Sequence, residues 1–382
     1  MKIKKYIILL ILILSVESCI KPGVYKNESK SITNDDPVYV RVLLYEGTKS
    51  LSVTSDEGYL VNENKSTTKK ISAGKTLIFK NDEISFPVKV IPEKGLLKLN
   101  GLPYRGSLEI FKSGLKIFAI NHLTIEEYLF SVVAGEIPSS WPVEALKAQA
   151  VAARTFAYHH IMDLKNKNAL YDLKATTSSQ LYKGASSERK ETTKAVNDTS
   201  GEIMTYNDQI IISFFHSSCG GKTADYKTVW NIKNLEYLHQ VDCNYCSKSP
   251  DFEWEASISM NEIKNKIKKV YKFDGKISGI TFERESGRIS EVIIKHDKGT
   301  ISISGNKFRL LFEPKKIRSL NFVSKKGKSG ILLKGKGWGH GVGMCQWGAK
   351  GLSVSGYDYR AILKYYFYNI EFSNSSKRIA AK

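Results

Sequence analysis

The sequence predicts an α+β fold from three observations. Short runs of strand-forming residues, separated by turn residues, fill residues 37–115 and predict a β-rich N-terminal region. A long alanine-rich segment from Trp141 to about Met162 follows, with an apolar stripe at helical spacing. A second series of strand-like runs lies at 255–330. We therefore expect a mixed core over 116–371 that contains a β-rich subdomain forming a cleft.

The first residues have the pattern of an export signal. Three lysines precede an apolar run from Tyr6 to Leu14, which is too short to cross a bilayer. Cys19 follows small residues and resembles the cleavage and lipidation site of bacterial lipoproteins; the alternative is an ordinary cleaved signal peptide. We expect 1–18 to be a lipoprotein-type signal peptide and the polar stretch 19–36 to be a flexible tether. The mature protein would then work outside the cytoplasm, held to a membrane by its lipid.

The charge of the chain limits the classes of partner. Lysine and arginine outnumber acidic residues 58 to 38, which gives a net charge of +20. Such a charge favours anionic cell-wall polymers, anionic lipid surfaces or nucleic acid as partners. The basic residues are scattered and no nucleic-acid-binding module accompanies them, so nucleic acid is not an expected partner. The last residues, 372–382, are expected to form a polar tail.

Glu136 is the candidate catalytic residue. It stands among apolar residues, close to Pro138, Trp141 and Pro142. Burial in such surroundings raises the pKa of a carboxyl group, which suits a general acid near neutral pH. The alternative is a carboxylate at the entry of the following helix, stabilised by the free N–H groups there. On that helix Lys147 and Arg154 lie two turns apart on one flank, which either faces Glu136 or is a solvated face.

A glycine–tryptophan block occupies residues 334–349. Glycine stands at every second position from 335 to 343, so the backbone can turn tightly and let a ligand approach closely. The block also offers flat rings and polar groups of the kind that bind sugars, on Trp338, His340, Gln346 and Trp347. The alternative is a tight turn within a β-rich core.

The cysteines predict a structural clip. His216 and Cys219, together with Cys243 and Cys246, match the donor set of a tetrahedral zinc site, and His239 is a rival to His216. A disulfide is the equal alternative, because an exported protein meets an oxidising compartment. Cys345 remains as a further thiol.

Several of these runs, in this order, resemble the stage II sporulation protein D (SpoIID)/LytB amidase-enhancer family. The resemblance covers roughly residues 38–370, and its matching pieces are Glu126–Leu129, Val132–Pro142, Glu144–Tyr158, Ser179–Gly184, Phe215–Gly221 and Gly337–Ala349. The Glu136 helix and the glycine–tryptophan block are specific to the family, whereas the β regions are not.

The resemblance implies a lytic transglycosylase that acts on peptidoglycan glycan strands, preferably those stripped of stem peptides. It implies Glu136 as the catalytic acid and no cofactor for catalysis. Its implied substrate-binding residues are Lys147, Arg154, Gln180, Tyr182, Trp338, His340 and Gln346. A second hypothesis is a non-catalytic wall-binding protein that stimulates an N-acetylmuramoyl-L-alanine amidase. A weaker third is a metal-dependent hydrolase that uses His216 and the cysteines.

Overall fold

The computed structural model describes residues 37–375, with the exception of 64–66, 85–86, 166, 168, 177, 231–233 and 273–274. The predicted signal peptide, the tether with Cys19 and most of the polar tail lie outside the described residues. Within the described part, several sheets and helices combine with a β-rich N-terminal region, so the predicted α+β class is confirmed.

Two sheets form the N-terminal region. Its strands are β1 (Tyr39–Gly47), β2 (Leu51–Ser55), β3 (Tyr59–Glu63), β4 (Thr67–Ile71), β5 (Leu77–Phe79), β6 (Val88–Pro92), β7 (Leu97–Leu99), β8 (Leu102–Tyr104), β9 (Ser107–Ser113) and β10 (Lys116–Thr124). One sheet has the order β11-β1-β10-β9-β6-β3-β4, where β11 (Leu173–Lys174) pairs parallel with β1, and the other has the order β5-β2-β7-β8. The first sheet therefore extends through β10, past the predicted boundary at residue 115.

Helix α1 (Ile125–Glu136) starts directly at the end of β10. Thr124 caps it: its Oγ1 accepts from the Glu127 N–H, and the Glu127 carboxylate accepts from the Thr124 N–H at 3.0 Å. Helix α2 (Val143–Lys165) follows after a loop with two prolines, which favour a break between the helices. The cap fixes the start of α1, and Glu136 is the last residue of this helix.

The remaining core surrounds α2. It contains a 3₁₀ turn (Ala185–Ser187), α3 (Lys190–Asp198), β12 (Glu202–Tyr206), β13 (Gln209–Ile210), β14 (Phe215–His216), α4 (Tyr226–Trp230), β21 (Met344–Cys345), α7 (Gln346–Val354), α8 (Tyr359–Tyr366) and β22 (Glu371–Asn374). Completely buried alanines on α2, such as Ala148 and Ala152, let α3, α7 and α8 pack closely. Strands β14 and β21 pair in parallel, which brings His216 opposite Cys345.

A β-rich subdomain is inserted between β14 and β21, and it overlaps the predicted range 255–330. It contains β15 (Glu253–Ser259), α5 (Met260–Tyr271), β16 (Ile277–Glu285), β17 (Arg288–His296), β18 (Gly299–Ser304), α6 (Gly305–Leu310), β19 (Phe322–Lys326) and β20 (Gly330–Lys336). Two sheets, β15-β20-β19 and β16-β17-β18, share one apolar core with β21, α7 and α8. In the described part of the chain, no helix combines the length and apolar character needed to cross a membrane.

Candidate functional site

Glu136 lies half-buried at the C-terminal end of α1, where two other segments meet it. The Leu181 N–H donates to its Oε1 at 3.0 Å, and the side-chain amide of Gln346 also favours its ionised form. Gly135 allows this approach, because a Cβ there would lie 2.8 Å from the Leu181 carbonyl oxygen. The structure thus brings Glu136 and Gln346, both predicted site residues, to one place.

Burial raises the pKa of Glu136 above its ordinary value, although the Leu181 N–H, Gln346 and the charge of Lys183 act in the opposite direction. Its position adds to this effect, because the C-terminal end of a helix carries the negative end of the helix dipole. The alternative of a helix-entry carboxylate is therefore wrong: Glu136 ends α1. A half-exposed carboxyl group with a raised pKa has the properties of a general acid.

Arg154 requires a correction. Its side chain is completely buried, and its guanidinium donates to both Glu126 carboxylate oxygens, at 2.8 and 2.7 Å. It also bonds the Val196 and Glu202 carbonyls and the Thr199 hydroxyl. These bonds occupy the guanidinium inside the core, so the prediction that Arg154 binds glycan is wrong.

Lys147 lies on the same flank of α2 as Arg154, and that flank faces α3. Its ammonium group is 3.3 Å from Glu144 and 3.8 Å from Asp198, and it lies 5.9 Å from the ring centre of Tyr359. The shared flank was predicted from the spacing, but its described contacts are with α3 and α8. A role for Lys147 in glycan binding remains a prediction.

Gln180 and Tyr182 are also core residues, contrary to the prediction that they bind substrate. Gln180 is buried, accepts from the Tyr128 hydroxyl at 3.0 Å and donates to the Ala153 carbonyl at 3.1 Å. The Tyr182 hydroxyl donates to the Asn121 side chain at 2.7 Å, and its ring is buried. Both side chains hold the 180–183 loop against α1, so they position the N–H group that binds Glu136.

Two lysines near this site were missed in the sequence. Lys183 is exposed, and its charge acts on Glu136. Lys350 lies over the rings of Trp347 and Trp141, at 4.5 and 5.3 Å from their centres, and the two rings are themselves 5.1 Å apart. Lys350 stands one helical turn after Gln346, a spacing that would have placed both on one face of α7.

Trp338 and His340, the other two candidate sugar-binding residues of the glycine–tryptophan block, have different surroundings. Trp338 is partly exposed, and the Arg318 guanidinium lies 5.4 Å from its ring centre. His340 uses both ring nitrogens internally: Nε2 donates to the Phe215 carbonyl at 2.9 Å, and Nδ1 accepts from the Val342 N–H at 3.1 Å. Burial lowers the pKa of His340 to about 3, so it is neutral. These bonds leave no ring nitrogen for substrate, and the prediction for His340 is wrong.

Four cysteines form a compact buried cluster. The Sγ atoms of Cys219, Cys243, Cys246 and Cys345 all lie within 4.8 Å of one another. The fourth member is Cys345, which replaces the predicted His216. The His216 Nδ1 bonds the Val342 carbonyl at 3.1 Å instead.

The donor set of this cluster fits a structural metal ion. The cysteines are free thiols, with the Cys219 and Cys246 Sγ atoms 3.5 Å apart. A tetrahedral zinc ion has Zn–S bonds of about 2.3 Å, which places its sulfur atoms roughly 3.8 Å apart. The Cys345 Sγ also accepts backbone N–H groups from Cys219 and Gly348, each at 3.3 Å, as bound thiolates do.

The fold and the site define a class of protein: an α+β protein with one carboxylic acid at a helix end and a separate four-cysteine centre. Comparison with known families is consistent with this class. Residues 113–206 match the family described as Stage II sporulation protein, and residues 231–343 match a Domain of unknown function (DUF8618).

Related proteins extend this match over most of the chain. The chain is 30% identical to Stage II sporulation protein D of Bacillus subtilis, over 67% of this chain and 76% of the relative. It is 38% identical to an uncharacterized protein of Brachyspira hyodysenteriae, over 72% and 73%. It is 28% identical to an amidase enhancer of Bacillus subtilis, over 89% of this chain and 55% of that relative. The chain therefore belongs to the stage II sporulation protein D family, which confirms the resemblance.

The burial of Arg154 predicts that this residue contributes far more to the free energy of unfolding than Lys147 does. Arg154→Met should lower the free energy of unfolding by about 3 kcal/mol, because it leaves Glu126 without its buried partner. Lys147→Met should cost less than about 1 kcal/mol, because its ion pairs are partly solvated. Urea unfolding followed by circular dichroism measures both, and equal losses would contradict the structural role of Arg154.

The raised pKa of Glu136 predicts that Glu136→Gln stabilises the protein at neutral pH. Ionising a carboxyl whose folded-state pKa lies above its ordinary value of 4.5 costs more free energy in the folded chain than in the unfolded chain. The wild type thus loses stability as the pH rises through the folded-state pKa, while the variant does not. Thermal unfolding should give the variant a higher Tm at pH 7 and equal values below about pH 4.

The matched control for this measurement is Glu126→Gln, ten residues earlier on the same helix. Glu126 is ion-paired with Arg154, so its loss should lower the Tm at pH 7. A Tm of Glu136→Gln that is at or below the wild-type value at pH 7 would contradict the raised pKa.

Proposed function

We propose that this protein is a peptidoglycan lytic transglycosylase, with Glu136 as its acid and then its base. The observation that carries the proposal is the half-buried Glu136 carboxyl with a raised pKa, beside the Gln346 amide. Membership of the stage II sporulation protein D family supports a role in the cell wall.

The chemistry needs a single carboxylic acid. Protonated Glu136 donates to the glycosidic oxygen between N-acetylmuramic acid and N-acetylglucosamine, and the N-acetyl oxygen of the muramic sugar assists at the anomeric carbon. The Glu136 carboxylate then removes the proton from the C6 hydroxyl, which closes a 1,6-anhydro ring. The proton returns to Glu136, so no water is consumed. Among the described residues, the groups that shift the pKa of Glu136 include no second carboxylate.

The surroundings of Glu136 suit an anionic sugar polymer. The partly exposed ring of Trp347 offers an apolar face for a sugar ring. It packs against the buried ring of Trp141, and Lys350 carries a positive charge above both rings. Lys183, on the loop that supplies the Leu181 N–H, adds a second positive charge that acts on Glu136. A muramic sugar without its stem peptide exposes a lactyl carboxylate, which such ammonium groups bind as point charges. We therefore assign glycan binding chiefly to Lys183 and Lys350, in place of Arg154.

The proposal includes the setting in which the protein acts. An exported, lipid-anchored protein would meet peptidoglycan outside the cytoplasm, in agreement with relatives named for sporulation and for enhancing an amidase. The similarity to an amidase enhancer favours a second function. In that function this chain binds the wall and stimulates an N-acetylmuramoyl-L-alanine amidase.

A product assay on glycan strands stripped of stem peptides tests the enzyme proposal. The wild type should release fragments with 1,6-anhydro-N-acetylmuramic acid ends, which mass spectrometry identifies. Glu136→Gln should form them at least 100-fold more slowly, because it removes the general acid. Glu283→Gln, which changes an exposed carboxylate on β16, should act like the wild type.

The other outcomes separate the alternatives. Product with ordinary reducing ends would indicate a hydrolase. No cleavage by the wild type, together with faster release of stem peptides by an added amidase on intact peptidoglycan, would favour the amidase-stimulating function. Equal rates for the wild type and Glu136→Gln would exclude Glu136 as the acid.

We also propose that the four-cysteine centre binds one structural zinc ion, held by Cys219, Cys243, Cys246 and Cys345. The purified protein should contain about one zinc per chain by mass spectrometry of the metal. Cys345→Ser should lose at least tenfold in zinc retention, while His216→Asn, which keeps a donor for the Val342 carbonyl, should retain it. The reverse pattern would restore His216 as the fourth ligand.

A further inference from the structure

Arg288 carries a buried positive charge from the inserted subdomain into the core. It is the first residue of β17 and is only 3% exposed. Its Nη2 donates to the backbone carbonyls of Cys219 and Lys222, at 3.0 and 2.6 Å. Its Nη1 is buried and has no hydrogen-bond partner among the described residues.

The usual compensation for such a charge is a carboxylate, and the described residues place none against Arg288. Cys219 and Cys345 are the described groups whose ionised forms would favour the charge on its guanidinium, while Arg284 repels it. A buried cation without a counter-charge is strongly destabilising. Neutral thiols would leave Arg288 in that state, whereas a zinc ion bound by four thiolates has a net charge of −2 and would offset it.

The backbone of the glycine–tryptophan block passes close to the Arg288 guanidinium. Gly341 has φ +85°, and a Cβ there would lie 2.8 Å from the Arg288 Cζ. The close approach of the backbone to the guanidinium thus requires glycine at this position. The loop between β20 and β21 therefore packs directly against the Arg288 guanidinium.

We propose that Arg288 is a positioning residue of the metal centre: its guanidinium offsets the negative charge of the metal-bound thiolates and ties the inserted subdomain to the core. The proposal rests on the zinc centre proposed above and is independent of the glycan-cleaving reaction. Arg288 bonds the Cys219 carbonyl and does not itself bind the metal.

Zinc release from the full chain tests this role without any activity assay. The native protein is mixed with the chelator 4-(2-pyridylazo)resorcinol, and the rise of the coloured zinc complex is followed. Arg288→Gln keeps a hydrogen-bond donor for the two carbonyls but loses the charge, so it should release zinc 10- to 100-fold faster than the wild type. Arg288→Lys keeps the charge and should stay within about threefold.

Arg309→Met is the matched control. Arg309 is a half-buried arginine of the same subdomain, and its described hydrogen bonds are with Asn306. It should release zinc at the wild-type rate. If Arg288→Gln does not fold, Gly341→Ala replaces it, because the added methyl displaces the guanidinium; it should also release zinc at least tenfold faster.

Three results would overturn the proposal. One is a wild type that contains no metal. Another is equal release from the Gln and Lys variants of Arg288, which would make the charge irrelevant. The third is an equal acceleration in Arg309→Met, which would mean that any loss of stability in the subdomain frees the metal.

Discussion

The buried guanidinium of Arg154 is the interaction on which the arrangement around Glu136 depends. It joins four segments, because it bonds Glu126 on α1, Val196 on α3, Thr199 after that helix and the Glu202 carbonyl on β12. A charge removed from water is tolerated only when its donors are satisfied, so these partners cannot move independently. With the start of α1 fixed by this pair, its opposite end is directed to the loop that supplies the Leu181 N–H. The basic residue predicted to bind glycan is therefore a structural partner of the helix that carries Glu136.

The two glutamates of α1 show how environment separates roles on one helix. Glu126 lies in the first turn, where the helix dipole favours a carboxylate, and it holds a full bidentate pair with Arg154. Glu136 lies at the other end, where burial outweighs one N–H donor, one amide and a nearby lysine. The first carboxylate is held in place by its ion pair, whereas burial raises the pKa of the second. In many active sites the environments of similar carboxyl groups separate structural roles from acid roles in this way.

Much of the fold and the burial of Glu136 could be predicted from the sequence, and the reasons are local. The strand runs, the alanine stripe of α2 and the flank shared by Lys147 and Arg154 depend on periodicity, which a sequence displays directly. What faces that flank depends on tertiary packing, so neither the burial of Arg154 nor the internal bonds of Gln180 and Tyr182 could be read from spacing. Cys345 was missed for the same reason: only the parallel pairing of β14 with β21 brings it to the other cysteines. The position of Lys350 one turn after Gln346 can be read from the sequence. Its contact with the ring of Trp141, however, depends on tertiary packing.

Cys345 explains why a structural centre stands so close to the candidate acid. It is the N-cap of α7, and its Sγ accepts the Gly348 N–H in the first turn of that helix. The next residue, Gln346, is the one whose amide acts on Glu136, and the first turns of α7 also carry Trp347 and Lys350. A metal ion bound at Cys345 would thus fix the start of α7 through a covalent ligand, and with it the wall that faces the acid. Partly exposed sites lack the packing that holds core side chains in place, so a metal centre at Cys345 would supply the missing constraint. In the proposed reaction the cysteines would matter without touching the substrate, because they would fix the direction of the helix that carries Gln346, Trp347 and Lys350.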